Sequence, residues 1–230
     1  MRQRPDTVML FAAGFGTRMG ALTHDLPKPL IKVAGKALID HALAQVRAAD
    51  LDRIVVNAHY KADQIRAHVA ESDILVSHES PDLLDTGGGL RAALPLTGPG
   101  PLFTMNTDAV WAGPNPLVAL ASKWDPDRMD ALLLCVSPTR AIGHAGAGDF
   151  ELDNQGRATR GPGLVYTGAQ ILKSDLLAHI PDDVFSLNLL WDRMIKAGRL
   201  YGLPYDGHWC DVGHPAGIAL AEDMLRNADV

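Results

Sequence analysis

The sequence predicts an α/β fold, a mixed and mainly parallel sheet with helices on both faces, joined to a smaller and less regular portion. Three observations carry that reading. Apolar runs of strand length alternate with helix-period segments as far as Val136. A glycine-rich turn follows the first apolar run directly. Beyond about residue 140 the alternation gives way to a glycine-rich loop and short hairpin-like runs.

Taken in order, Thr7 to Ala13 reads as a buried strand. Lys36 to Ala49 reads as a helix, with Leu38, Ala42, Val46 and Ala49 on one face. Arg53 to Tyr60 is the next strand and Lys61 to Ala70 the next helix. Asp73 to Glu79, Leu102 to Thr107 and Ala131 to Val136 continue the strands, with helices at Gly88–Leu94 and Pro116–Trp124 between them. Gly143 to Asp149 is a loop, and Phe150 to Arg160 a hairpin turning near Asn154-Gln155-Gly156. Leu164 to Leu172 is a strand, Ser186 to Ala197 a helix, Leu200 to Tyr205 a strand, and Ala216 to Asn227 an amphipathic helix. With no repeat or linker, one domain is expected. Residues 1–112 would form its ligand-binding half and residues 113–230 a second half.

Composition narrows the function. The chain has 230 residues, 47% hydrophobic, with a formal charge of -6, so a basic nucleic-acid surface is not expected. No apolar run approaches the roughly 18 residues that span a bilayer, so no membrane partner is expected either. Met1 to Asp6 does not lead into a signal peptide. Cys135 and Cys210 fit no metal or disulfide spacing, which suits a reducing, cytoplasmic setting.

The chemistry starts in LFAAGFGTRMG, Leu10 to Gly20. Dinucleotide loops run G-x-G-x-x-G, but here Gly14 and Gly16 are followed by Gly20, one residue late, and Arg18 stands inside the turn. Glycines let backbone amides approach phosphate oxygens, a following helix would add its positive end, and Arg18 adds a fixed cation. A plain strand-to-helix turn is the alternative. Lys28, between Pro27 and Pro29, is held by a stiffened chain that a solvated lysine would not need. Arg18 and Lys28 therefore read as two cations converging on one polyphosphate.

The segment LFAAGFGTRMGALTHDLPKPLIKVAGKALIDHAL closely resembles the signature of sugar-1-phosphate nucleotidyltransferases. LDTGGGLRAAL, FTMNTDAVW, VYTGAQIL and GHWCDVGHP follow in the family's order, so the resemblance spans nearly the whole chain. It implies a single-domain, Rossmann-like nucleotidyltransferase fold with a nucleotide-binding half and a sugar-binding half. It also implies transfer of a nucleotidyl group from a nucleoside triphosphate to a sugar 1-phosphate. The triple glycine and the GHW-x-DVG segment are most similar to family members that use UTP and N-acetylmuramate 1-phosphate, which implies recycling of peptidoglycan sugar. Other pairs (dTTP or GTP with a hexose 1-phosphate, or CTP with phosphocholine) and a non-catalytic nucleotide-sugar sensor stay open. Acetyltransferase activity, carried by some larger relatives, is not expected.

Such chemistry needs cations and a hard metal ion more than a general base, because the acceptor phosphate is already anionic. Arg18 and Lys28 take the catalytic role. By resemblance Asp108 and Asp211 share a magnesium ion; each is otherwise a turn or capping residue. Thr107 stands where the family often has glycine or serine, and would narrow the approach to the metal. By resemblance, Ala12, Ala13, Gly14, Gly16, Thr17 and the loop Thr86, Gly87, Gly88 hold the nucleotide, the bare glycine backbone lying against the base. The sugar would meet Gly168, Asn106, Glu79, Asn188 and Trp209, each with a structural alternative. His214 stands where threonine is common. The remaining histidines have no ligand spacing.

Overall fold

The computed structural model describes residues 5–70 and 72–228; Met1–Arg4, on which the expectation of no leader partly drew, lie outside the described residues. The chain runs through β1 (Thr7–Phe11), β2 (Lys32–Val33), β3 (Lys36–Ala37), α1 (Leu38–Ala48), β4 (Arg53–Ala58), α2 (Ala62–Val69) and β5 (Leu75–His78). It continues through α3 (Asp85–Thr97), β6 (Pro101–Asn106), β7 (Ala109–Ala112), α4 (Pro116–Lys123), β8 (Ala131–Val136) and β9 (Ala141–Ile142). Then follow β10 (Phe150–Leu152), β11 (Ala158–Arg160), β12 (Val165–Lys173), α5 (Leu187–Lys196), β13 (Leu200–Pro204), β14 (His208–Asp211) and α6 (Ala216–Ala228).

Seven strands form one sheet in the order β13-β8-β12-β6-β1-β4-β5. Six run parallel; β12 is antiparallel to both β6 and β8. Period-two burial splits the core across the sheet. Val8 and Leu10 of β1 pack with Ile39, Ala42, Ile65 and Leu117 on one face. Met9 packs with Leu90, Ala93, Leu190 and Trp191 on the other. Central strands buried on both faces must be continuously apolar, as MLF and LLLCV are. The strand order reverses at β1, which lies between β4 and β6, so the crevice past its carboxyl end is the natural ligand site.

Several boundaries moved for identifiable reasons. The helix expected from Lys36 starts at Leu38, because Lys36–Ala37 pairs with Lys32–Val33 around Ala34 and Gly35, both at positive φ. The strand expected to reach Ala13 ends at Phe11, where the Ala12 amide turns to the Asn57 side chain. The helix expected at Gly88–Leu94 is longer, Asp85–Thr97. The hairpin at 150–160 is present as β10 and β11. A second, three-stranded sheet, β7-β14-β9, includes β7, which the sequence reading left unassigned. It packs under α6 around Val110, Cys210, Val212 and Met224.

Candidate active site

A cleft of about 310 Å³ opens past the carboxyl ends of β1 and β6. Gly14, Arg18, Lys28, Asn106 and Asp108 are among the residues that line it. Gly16 sits at φ 64° in the left-handed region. A Cβ there would come 2.8 Å from Lys28 Cβ and 2.9 Å from Thr23 Cγ2, so glycine at this position lets the loop close over the lysine. Thr23 Oγ1 donates to the carbonyls of Gly16 and Gly20, tying the loop down. Lys28 is only 7% exposed despite its charge. A buried ammonium needs a partner, and its Nζ donates to Asp108 Oδ2 at 2.7 Å. The expected helix after the loop is instead a 3₁₀ segment, Thr17–Thr23, broken at Gly20 (φ 57°, ψ -128°), so no long helix dipole stands behind Arg18.

Strand register brings the two carboxylates together. Asp108 lies between β6 and β7, and Asp211 at the end of β14 pairs with Ala109. The Val212 amide donates to the Asp108 carbonyl at 2.9 Å. Thr107 is buried, and its hydroxyl donates to the Phe11 carbonyl at 2.7 Å, pinning β6 to β1 just before Asp108. Burial, and then the negative charge of Asp108, hold the Asp211 carboxyl above the usual carboxylate range, against the pull of Lys28, Arg18 and His144. A Cβ on Gly213 would lie 2.7 Å from Asp211 Oδ2 and 3.2 Å from Arg18 Nη1, so glycine lets these two side chains share one space. No group of three metal-binding side chains exists among the described residues. Two hard carboxylates suit magnesium, which keeps waters and borrows phosphate oxygens.

The floor beside the loop corrects two expectations. Glu79 is 2% exposed and does not reach the sugar side. Its Oε1 accepts from Asn57 Nδ2 at 2.6 Å and its Oε2 from the Leu84 amide at 2.8 Å. Asn57 Oδ1 accepts in turn from the Ala12 amide at 2.7 Å. Ala12 and Ala13 line the cleft, with the Ala12 N–H already engaged. The amides of Gly87 and Gly88 both donate to the Phe185 carbonyl, so they do not face a base. Cβ atoms at these positions would strike Phe185, 2.3 Å away, and the Asp183 carbonyl, 2.4 Å away. The triple glycine instead lets α3 seat against residues 183–185 and Glu79. Thr86 does line the cleft, and its hydroxyl accepts from the Leu187 amide.

A second chamber of about 300 Å³ shares Phe11, Asp85, Thr86 and Asn106 with the first. Asn188 lines it. Gly168, at φ 83°, lies in the β12 irregularity, where a Cβ would come 2.7 Å from the Asn106 amide group. Trp209 is a core residue, packed on the β7 side of the small sheet. His214 is exposed, its carbonyl accepting from the Gly217 amide at the start of α6. Asn57 and Arg160 are among the lining residues that had escaped the sequence reading. Asn57 was legible as the one amide inside the apolar run of β4. Arg160 carried no signal beyond its place at the end of a hairpin.

Both thiols are inert by burial, which pushes Cys210 up to about 12 and Cys135 further still. No helix among the described residues is long and apolar enough to cross a membrane.

Comparison with known proteins matches the MobA-like NTP transferase domain to residues 8–225. The chain is 42% identical to N-acetylmuramate alpha-1-phosphate uridylyltransferase of Caulobacter vibrioides, over 99% of this chain and 100% of that protein. It is 31% identical to the protein of the same name from Neisseria meningitidis, over 89% and 92% of the two chains. HddC from Yersinia pseudotuberculosis, complexed with GMP-PN, shares the fold with a TM-score of 0.77 at 22% identity, over 95% and 99% of the chains. The inositol-1-phosphate CTP transferase from T. maritima does so at 0.77 and 14%, over 97% and 98%.

Proposed function

The chain belongs to the MobA-like NTP transferase family, and from that premise we propose that it transfers a uridylyl group from UTP to N-acetylmuramate 1-phosphate, releasing pyrophosphate. One observation carries the reading. Lys28 meets Asp108 at 2.7 Å, while Arg18 and Asp211 crowd Gly213, and Arg18, Lys28, Asp108 and Gly213 line a cleft in the sheet's switch-point crevice. Two cations against two carboxylates is the equipment for joining two phosphates. The choice of UTP and of the muramyl sugar draws on the Caulobacter relative's name.

In this reading the triphosphate lies along Gly14–Arg18. Arg18 forks onto phosphate oxygens, and Lys28 passes from Asp108 to the phosphates as the nucleotide enters. That exchange leaves Asp108 and Asp211 free to hold a magnesium ion. The ion, when bound, neutralises charge on the α-phosphate and the departing pyrophosphate. The acceptor phosphate is already an anion, so no side chain must remove a proton. Arg18 and Lys28 offset the repulsion between the two reactants and hold them in line. Ala13 and Thr86 border the base, and the acceptor ring passes Asn106 and Gly168 into the second chamber. The setting that fits is cytoplasmic recycling of peptidoglycan sugar.

Pyrophosphate release is to be measured over a matrix of nucleoside triphosphates and sugar 1-phosphates, with magnesium and with chelator. Magnesium-dependent release with UTP and N-acetylmuramate 1-phosphate is expected. Release only with another pair would overturn the substrate assignment, and silence across the matrix would overturn the activity.

A further inference from the structure

The second chamber holds a cation that phosphate chemistry does not account for. Arg160, at the end of β11, is the one cation among the described residues lining it, while Arg18 and Lys28 already serve the phosphates in the first chamber. Its guanidinium lies 4.9 Å from the Phe150 ring centre and 5.5 Å from that of Trp191. Trp191 is itself fixed, its Nε1 donating to Gln170 Oε1 at 3.0 Å and its ring meeting Tyr166 edge-on. Arg160 Nη2 donates to Asn188 Oδ1 at 2.8 Å. Nε and Nη2 also reach Asp192 Oδ1, at 3.3 and 3.1 Å. Asp192 does not line the chamber, so it steadies the guanidinium from behind. Nη1 makes no hydrogen bond to the described residues.

A planar cation held against two rings loses little freedom on gripping a carboxylate, and its fork matches that group's geometry. A neutral sugar needs no cation at the end remote from its phosphate. The acidic lining groups, Asp85 and Asp149, suit sugar hydroxyls instead; Asp149 Oδ2 also accepts from the Tyr166 amide at 2.8 Å.

Resting on the reading of the acceptor as a sugar 1-phosphate, we infer that Arg160 is the specificity residue that reads a carboxylate on that sugar, such as the lactyl group of a muramyl acceptor. It acts by binding and touches none of the reacting atoms.

The test is steady-state kinetics with UTP and three acceptors: N-acetylmuramate 1-phosphate, its lactyl amide and N-acetylglucosamine 1-phosphate. Arg160→Gln should lower kcat/KM for the muramyl acid roughly 30-fold, the size of a lost charge-assisted pair, and leave the glucosamine acceptor within about threefold. Arg160→Lys should recover part of the loss. The wild-type enzyme should lose a similar factor on the amide, and Arg160→Gln should lose nothing further there. Equal losses on acid and glucosamine acceptors, or a wild-type enzyme indifferent between acid and amide, would overturn the assignment. The second of those readouts does not depend on the variant folding. A wild-type enzyme silent with all three acceptors would instead overturn the nucleotidyl-transfer reading, and the assignment with it.

Discussion

Near β1 the cleft's lysine and the carboxylate that braces its floor are buried; near β11 and α5 the arginine and its carboxylate partner stay in reach of water. Lys28 is 7% exposed and Glu79 2%, each satisfied inside the protein. The Arg160 side chain is 40% exposed and its partner Asp192 53%. In the proposed reading the first end takes the group every donor substrate shares, the triphosphate, and rigidity there costs no selectivity. In the proposed reading the second end tells similar sugars apart, and a handful of surface side chains can be exchanged without disturbing the sheet. A fold can thus keep one reaction while its acceptor changes.

The comparison breaks most visibly at the carboxylates. Asp108→Asn or Asp211→Asn should cut turnover by at least about a hundredfold in an assay with saturating substrates and magnesium. Near-normal turnover in both would mean that the buried end is scaffold rather than machinery. A smaller effect should separate the two ends by substrate. Glu79→Gln leaves a single carbonyl oxygen for two donors, Asn57 Nδ2 and the Leu84 amide. It should raise KM for UTP roughly tenfold and leave KM for the acceptor within about twofold. A rise in the acceptor's KM alone would return Glu79 to the sugar side.

The smallest effect concerns charge without metal. The Asp211 carboxyl is held above its unfolded value by burial and by Asp108, so its ionised form weakens the fold. That cost sets in as pH rises past the unfolded value of about 3.9 and is complete above the folded one. In chelator at pH 7, Asp211→Asn should raise Tm by roughly 1–3 °C, and below about pH 3.5 the gain should vanish. Scanning calorimetry at both pH values decides it. A loss of stability at pH 7 would mean that the cations around Asp211 outweigh its burial.

What could be read from the chain follows the same division. Strands such as Ala131–Val136 were legible to the residue, because burial on both faces leaves only apolar side chains. Arg18, Lys28 and Asp108 stood out by their settings, Arg18 inside a glycine-rich turn, Lys28 between two prolines and Asp108 just past an apolar strand. Gly87 and Gly88 misled, because an absent Cβ signals a close neighbour without saying whether that is a ligand or Phe185. Glu79 misled in a similar way, since a carboxylate at a strand end can face the cleft or brace it from behind. Arg160 was invisible, because its meaning lies in the rings of Phe150 and Trp191, which tertiary packing alone brings to it.

The pairing of Asp211 with Ala109 joins a strand from the middle of the chain to one formed much later in it. A polypeptide that stops between Lys28 and β14 possesses the glycine loop and both cations and still lacks Asp211, so the carboxylate pair depends on strands that the loop's own segment does not supply.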